Sequence, residues 1–225
     1  MNIILQHWSG HVDELVRKST ESIEGYAKHI GVEYKFIQGN VFKPHLMNRM
    51  TLPYQKLHYL DEKWDVYDDL VMVDADMFVR KGVTENIFDC TGIGRHTQIQ
   101  TNLRKGLSTN YGSWGRESAP YWGGSVIKLT RKQRQLFRSL LTDEICSIFG
   151  GSYQDEGVLH ILGNLAGMNH DDPNMYLEGQ QWNHSSFEYD VAKGNFIHIR
   201  TKIRPQGPKT SKINNYRTLY LRGLI

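Results

Sequence analysis

Asp74 and Asp76, separated only by Ala75, close the apolar run Leu70-Val71-Met72-Val73. A strand of that composition is covered on both faces and meets water only where it ends. Two carboxylates at such an end cost desolvation unless a cation or hydrogen-bond donors neutralise them. Hard divalent ions such as Mg²⁺ or Mn²⁺ take oxygen ligands and commonly share them with substrate phosphates. The pair therefore points to a metal-bridged phosphate substrate. The plainer alternative is a solvated strand end, with Asp68 and Asp69 close by in sequence.

The elements that must position these carboxylates alternate along the chain. Residues 2–6 form a short apolar strand. Val12, Leu15, Val16, Ile23, Tyr26, Ala27 and Ile30 then fall at helical spacing on one face, with Gly31 as a stop. Residues 32–37 alternate as a second strand, residues 53–64 suit a helix opened by Pro53, and residues 70–73 are the third strand. This β-α-β-α-β order predicts an α/β fold with a largely parallel sheet, in which ligands bind beyond the carboxyl ends of the strands. Residues 103–120 are rich in Gly, Ser, Asn and Arg and read as a long loop able to act as a lid. Residues 121–129 form a strand that opens on the pair Gly123-Gly124, which lets another group approach the backbone closely. Thr130 caps a helix carrying Leu136, Phe137, Leu140 and Leu141, and Gly150-Gly151 ends that region. A further helix starts near Tyr153-Gln154-Asp155-Glu156, and residues 195–199 are a late strand.

Composition narrows the class. The chain has 225 residues, of which 39% are hydrophobic and 23% charged, as expected of a soluble globular domain with its own core. No stretch has the length of a spanning helix, and the first residues lack the basic start of a signal peptide, so a cytoplasmic location is expected. Cys90 and Cys146 are too few for a disulfide framework or a cysteine-rich zinc site. The net charge of +3 is uneven. Arg200, Lys202, Arg204, Lys209, Lys212, Arg217 and Arg222 lie after residue 199 with no acidic residue among them. Taking these seven from 27 basic residues leaves 20 against 24 acidic ones, so the main body is mildly acidic. Nucleic acid is thus an improbable partner, and the basic stretch is a solvated surface, a phosphate clamp or a membrane-surface patch. Lys202 and Arg204 alternate after His198, so in an extended segment they project together and suit a pyrophosphate.

Val71-Met72-Val73-Asp74-Ala75-Asp76 resembles the DXD motif of nucleotide-sugar glycosyltransferases with the GT-A fold, including those of family 8. Four further segments follow the family's order. Tyr54-Gln55-Lys56 is similar to a lysine-bearing helix that faces the sugar nucleotide. Tyr121-Trp122-Gly123-Gly124-Ser125-Val126 resembles the segment lining the donor and acceptor pocket. Gln154-Asp155-Glu156-Gly157 resembles the later acidic helix start, and Phe196-Ile197-His198-Ile199 the late strand whose histidine completes the metal shell. The resemblance spans residues 1–205, with a nucleotide-sugar half to about residue 100, an acceptor half beyond it, and residues 206–225 as a basic tail. The compact size is also similar to glycosyltransferase domains of large algal viruses, for which the host cytoplasm would be the location.

The resemblance implies a Rossmann-like GT-A domain and a metal-dependent transfer of sugar from a UDP- or GDP-sugar to a glycan or other hydroxyl acceptor. It implies Mn²⁺ or Mg²⁺ held by Asp74, Asp76 and His198, with Asp76 binding directly. Lys56, Lys202 and Arg204 would contact the donor, His7 and Trp8 would face the nucleotide base, and Trp122 beside Gly123 and Gly124 would offer its ring to a sugar. Asp155 and Glu156 are the candidate acids that orient an acceptor hydroxyl or take its proton. Their plainer role is to complement a helix dipole. Competing readings are a haloacid-dehalogenase-type phosphatase with the first aspartate as nucleophile, a nucleic-acid-binding module, and a sugar-binding domain without transfer.

Overall fold

Strand β1 (Asn2–Trp8) lies between β2 (Glu33–Gln38) and β3 (Asp69–Asp74) and pairs in parallel with both. Beyond β3 comes β6 (Gly123–Thr130), antiparallel to it, and then β5 (Gly94–Arg95), antiparallel to β6. The sheet order is β2-β1-β3-β6-β5, so four of the five strands share one direction and β6 alone opposes them. The architecture is a mixed α/β domain with a mainly parallel sheet and flanking helices. This computed structural model describes residues 1–42, 52–96, 98–148, 154–177, 181–188, 190–203 and 207–225.

Both sheet faces are covered, which is why the strands read as nearly continuous apolar runs. On one face Ile3, Leu5, Leu70, Met72, Ile127 and Leu129 pack with Tyr54, Leu57, Phe137 and Leu159. On the other, Ile4, Val71, Val73 and Val126 pack with Ile23, Tyr26 and Ala27 of α1 (Glu14–His29). Asp13 caps α1 by accepting from the Val16 amide at 2.9 Å, and Gly31, at φ +73°, turns the chain out of it. Helix α3 (Arg131–Leu140) starts from a complete capping box between Thr130 and Gln133. Helices α4 (Asp143–Ile148) and α5 (Gln154–Leu165) follow.

A smaller second sheet has the order β4-β8-β7, from β4 (Met77–Val79), β8 (Phe196–His198) and β7 (His184–Ser185). The turn at Ala75 and Asp76 hands the chain from the large sheet to this one. On its far side, the basic stretch contains a helix, α6 (Lys212–Leu221), which is docked on the fold. Tyr216 and Leu219 join a cluster with Leu15, Phe78, Ile197 and Ile199, and the Tyr216 ring stacks on Phe78 at 4.7 Å. No helix among the described residues is long and apolar enough to cross a membrane.

Two expectations need correction. Residues 103–120 are not a loop throughout, because helix α2 (Gln98–Tyr111) and a short 3₁₀ turn (Gly112–Trp114) occupy most of them. Leu103, Leu107 and Tyr111 stand four residues apart and pack on the core, a helical stripe obscured by the polar residues between them. The helix expected over residues 53–64 is two 3₁₀ segments, Leu52–Leu60 and Glu62–Trp64. Its side chains Tyr54, Leu57, Tyr59, Leu60 and Trp64 are all buried, so packing sustains an unusually long 3₁₀ run.

Candidate functional site

The site lies at the carboxyl ends of β1 and β3. The register pairs His7 with Asp74, which sets the two strand ends side by side. Gln6 is wholly buried beneath them and donates to the Asp74 carbonyl at 2.9 Å and to Ser19 Oγ at 3.0 Å. Tyr34 donates to its other end at 2.9 Å. This buried amide holds the backbone from which Asp74 projects, and nothing in its local sequence marks it for that task.

His198 reaches the same place from the second sheet. Its register partner is Met77, next to Asp76, and the Ile199 amide donates to the Asp76 carbonyl at 3.0 Å. Nε2 of His198 is 3.2 Å from Asp76 Oδ1, while Nδ1 shares a hydrogen bond of 2.8 Å with Ser125 Oγ on β6. Ligand atoms of Asp74, Asp76 and His198 all lie within 4.8 Å of one another. Two carboxylates and an imidazole whose second nitrogen is already held form a donor set that suits Mn²⁺ or Mg²⁺.

Positive charge already gathers on these carboxylates. Lys56 Nζ donates to Asp74 Oδ1 at 2.9 Å and to the Gly124 carbonyl at 3.0 Å, and it pairs with Asp155 Oδ2 at 2.8 Å. Lys212 of α6 pairs with Asp76 Oδ2. Burial opposes the charge on Asp76, but His198 and Lys212 outweigh it and hold the carboxyl well below the usual range. Burial likewise opposes the charge on Lys56, and Asp155 and Asp74 outweigh it, so its pKa is raised. Asp155 is shifted the other way, up to about 6, because burial and the negative charges of Glu156 and Asp74 together exceed the help from Lys56. Lys56 shared between two carboxylates is thus firmly charged, and the raised pKa of Asp155 leaves that carboxyl able to take a proton at mildly acidic pH.

Gly124 makes this packing possible. A Cβ there would stand 2.6 Å from Asp155 Oδ2, 3.1 Å from Glu156 Cγ and 3.3 Å from Lys56 Nζ. The group that approaches the glycine pair is therefore the protein's own ion pair. Glu156 accepts from the Gly124 amide at 2.7 Å and from the Tyr121 hydroxyl at 3.0 Å.

Two cavities meet at the metal-type cluster. One, of about 180 Å³, is lined by His7, Trp8, Ser9, Gly10, Lys56, Asp74, Ala75 and Asp76. His7 Nε2 meets the Gly39 carbonyl at 2.7 Å, and burial lowers its pKa. The Trp8 indole donates to the His11 carbonyl at 2.8 Å. The other cavity, of about 230 Å³, is lined in part by Gly123, Ser125, Glu156 and His198.

Sequence reasoning placed some residues wrongly. Trp122 offers no sugar platform: it is fully buried, packs near Phe137 and donates its indole N–H to the Met175 carbonyl at 2.6 Å. An aromatic residue beside glycines looks the same in sequence whether its ring faces a ligand or the core. Lys202 lines a separate cavity with Phe187, Arg200 and Thr201 and not the one beside Asp74 and Asp76. Arg204 and Gly150-Gly151 lie outside the described residues. Lys212 was missed as a site residue, since only the docking of α6 brings it to Asp76.

The five-stranded α/β sheet flanked by a second small sheet is a fold that this chain shares with a solved glycosyltransferase. The chain is similar over 98% of its length to 98% of a solved structure, with a TM-score of 0.56 and 10% sequence identity. That structure is a glycosyltransferase involved in the glycosylation of the major capsid of PBCV-1. Neither a protein-family model nor a curated protein sequence matches the chain.

Proposed function

We propose that this chain transfers a sugar from a nucleoside-diphosphate donor, a uridine or guanosine diphosphate sugar, to an acceptor hydroxyl, as a GT-A enzyme with a DXD motif similar to family 8. The observation that carries this reading is the convergence of Asp74, Asp76 and His198 beside a cavity walled by the end of β1, in a chain with a glycosyltransferase's fold. Mn²⁺ or Mg²⁺ bound there would neutralise the diphosphate and ease its departure.

The chain's own residues divide the remaining work. His7 and Trp8 wall the end of the cavity that takes the nucleoside. Lys56 fixes the Asp74 carboxylate, and through Asp155 it ties the donor side to the start of α5. Transfer breaks the bond between the sugar's anomeric carbon and the diphosphate oxygen, and the electron pair leaves with the diphosphate. The acceptor oxygen forms the new bond to that carbon, and its proton passes to a carboxylate at this end of the site. Glu156, which lines the second cavity, and Asp155, able to take a proton at mildly acidic pH, are the two candidates.

The test is thermal stability against nucleoside diphosphates and their sugars, with and without Mn²⁺. Ligand at a hundredfold excess over its Kd stabilises by about 2.7 kcal/mol, a rise of roughly 5–11 °C for a chain of this length. A Mn²⁺-dependent rise with one nucleotide, lost in Asp76→Ala, is expected. A folded protein that responds to none of them, or an Asp76→Ala variant that responds like the wild type, refutes the reading.

A further inference from the structure

Strand β2 stands at the edge of the large sheet, with β1 on one side and no strand on the other among the described residues. It pairs with β1 without a bulge along its whole length and contains no proline. Just beyond it, the Gly39 amide donates to the Trp8 carbonyl at 3.0 Å. By the alternation of an extended chain, Glu33, Lys35 and Ile37 turn their amides and carbonyls to β1, and Tyr34 and Phe36 turn theirs outward. Such an edge invites another strand, and proteins usually blunt it with a bulge, a proline or a free lysine. The lysine here is not free. Lys35 pairs with Glu33 at 3.0 Å, and its ammonium lies 5.6 Å from the centre of the Trp64 ring.

The side chains select which strand fits. Val32-Glu33-Tyr34-Lys35-Phe36 reads apolar, acidic, aromatic, basic, apolar, an order that complements itself when the direction is reversed. Residues directly opposite each other in an antiparallel ladder share a face. With Tyr34 opposite Tyr34 of a second copy, Glu33 meets Lys35 on one face and Val32 meets Phe36 on the other. The two Tyr34 residues exchange backbone hydrogen bonds, and each Phe36 amide reaches the Val32 carbonyl of the other copy. Glu33 and Lys35 then occupy the positions without backbone bonds, where opposite side chains come closest. The neighbouring symmetric registers set Glu33 on Glu33 or Lys35 on Lys35, and like charges in those positions repel. Val32, Tyr34 and Phe36 are half-buried. Among the described residues Phe36 joins none of the apolar clusters, so its ring keeps apolar surface to cover.

We infer that β2 is an interface with a second copy of this chain, antiparallel and in register about Tyr34, which joins two five-stranded sheets into one across a two-fold axis. The inference is independent of the reaction proposed above. Tyr34 also donates its hydroxyl to Gln6, the amide beneath Asp74, so one buried side chain links each acidic site to the axis.

The experiment is sedimentation velocity on the whole protein from micromolar to millimolar concentration, which should show a reversible equilibrium between monomer and dimer. Lys35→Glu sets acids opposite acids and should raise the dimer Kd at least about tenfold, and Glu33→Lys should do the same with bases. The double variant Glu33→Lys with Lys35→Glu restores opposite charges across the axis and should return to within about threefold of the wild type. Melting temperatures measured at dilution, close to that of the wild type, show that the variants are folded. A wild-type measurement stands beside them: hydrogen exchange at the Tyr34 and Phe36 amides should slow as concentration rises, while the Lys35 amide, already bonded to β1, should exchange alike throughout. A monomer at every concentration overturns the inference and leaves the edge to some other strand. A dimer that ignores both single charge reversals, that the double variant fails to restore, or that leaves the Tyr34 and Phe36 amides unprotected uses another surface and overturns it as well.

Discussion

Replacing Asp155 by asparagine removes one charge from a buried trio and leaves its shape in place. The Asp155 carboxyl has its pKa raised from 3.8 to about 6 in the folded protein, chiefly by burial. A rise of about two units corresponds to about 3 kcal/mol. The folded state therefore binds more protons than the unfolded chain between about pH 4 and pH 6, and stability falls as pH rises through that window. This contribution is fully present below the unfolded pKa and lost above about pH 6. Lys56 has a raised pKa too, but its titration lies at alkaline pH, outside the window. Carboxylates held low, such as Asp76, push in the opposite direction, and they are common to both proteins. The difference between wild type and Asp155→Asn isolates the single group. The asparagine can still accept from Lys56, and Asp74 still pairs with it at 2.9 Å.

The assay is the melting temperature of both proteins from pH 4 to pH 7.5, at fixed ionic strength and without nucleotide. The variant should gain on the wild type by about 2.4 kcal/mol across the series, since pH 4 already lies just above the unfolded pKa, or roughly 5–10 °C at the 2–4 °C per kcal/mol typical of this size. Any constant offset from losing one carboxylate leaves this slope unaffected. Parallel curves would show that Asp155 titrates alike in both states, and the reasoning about its burial would fail. In turnover, the same variant should lose rate while keeping donor affinity.

Three further outcomes follow from the same geometry. Gly124→Ala places a methyl group 2.6 Å from Asp155 Oδ2, and an overpacking cost of about 1–3 kcal/mol should lower the melting temperature and slow turnover at least about tenfold; wild-type values in both would show the contact to be slack. Lys212→Ala frees Asp76 of a half-exposed ammonium, and since such pairs are worth about 0.2–1 kcal/mol, Mn²⁺ should bind the nucleotide-free protein up to about fivefold tighter by calorimetry. Unchanged or weaker binding would mean that Lys212 does not compete with the ion. Ser125→Ala releases the Nδ1 side of His198, and Mn²⁺ affinity should fall by about 10–100-fold, the usual effect of losing a ligand's supporting hydrogen bond. Full affinity in that variant would remove His198 from the metal shell.

What the sequence revealed depended on how local the cause was. Strands β1, β3 and β6 announced themselves because both of their faces are buried and the chain is apolar throughout. Helices α1 and α3 carried their own caps at Asp13 and Thr130. Asp74 and Asp76 were legible because two charges following an apolar strand violate the pattern around them. Helix α2 was hidden by weak helix formers such as Gly106, Thr109 and Asn110, and only its packing on the core sustains it. Strands β4, β5 and β7, of two or three residues each, are too short to carry a period and exist only through their partners.

The site residues divide along the same line. Lys56 and Asp155 sit on elements whose local pattern could be read, whereas Gln6 and Lys212 act through contacts that no spacing encodes; Lys212 and Asp76 are 136 residues apart. The reason is the turn at Ala75 and Asp76. It ends the strand of one sheet and starts the strand of another, so Asp74 closes a strand of the large sheet and Asp76 sits in the turn, while His198 and Lys212 belong to the small sheet and the helix docked on it. The carboxylates by themselves form a strand end that needs a cation. The docking of the second sheet supplies the imidazole, and the docking of α6, through Tyr216 on Phe78 and Leu219 among Leu15, Ile197 and Ile199, brings the ammonium. Packing of the small apolar cluster around Phe78 therefore sets where His198 and Lys212 stand, and Ile199 of that cluster also donates its amide to the Asp76 carbonyl at 3.0 Å.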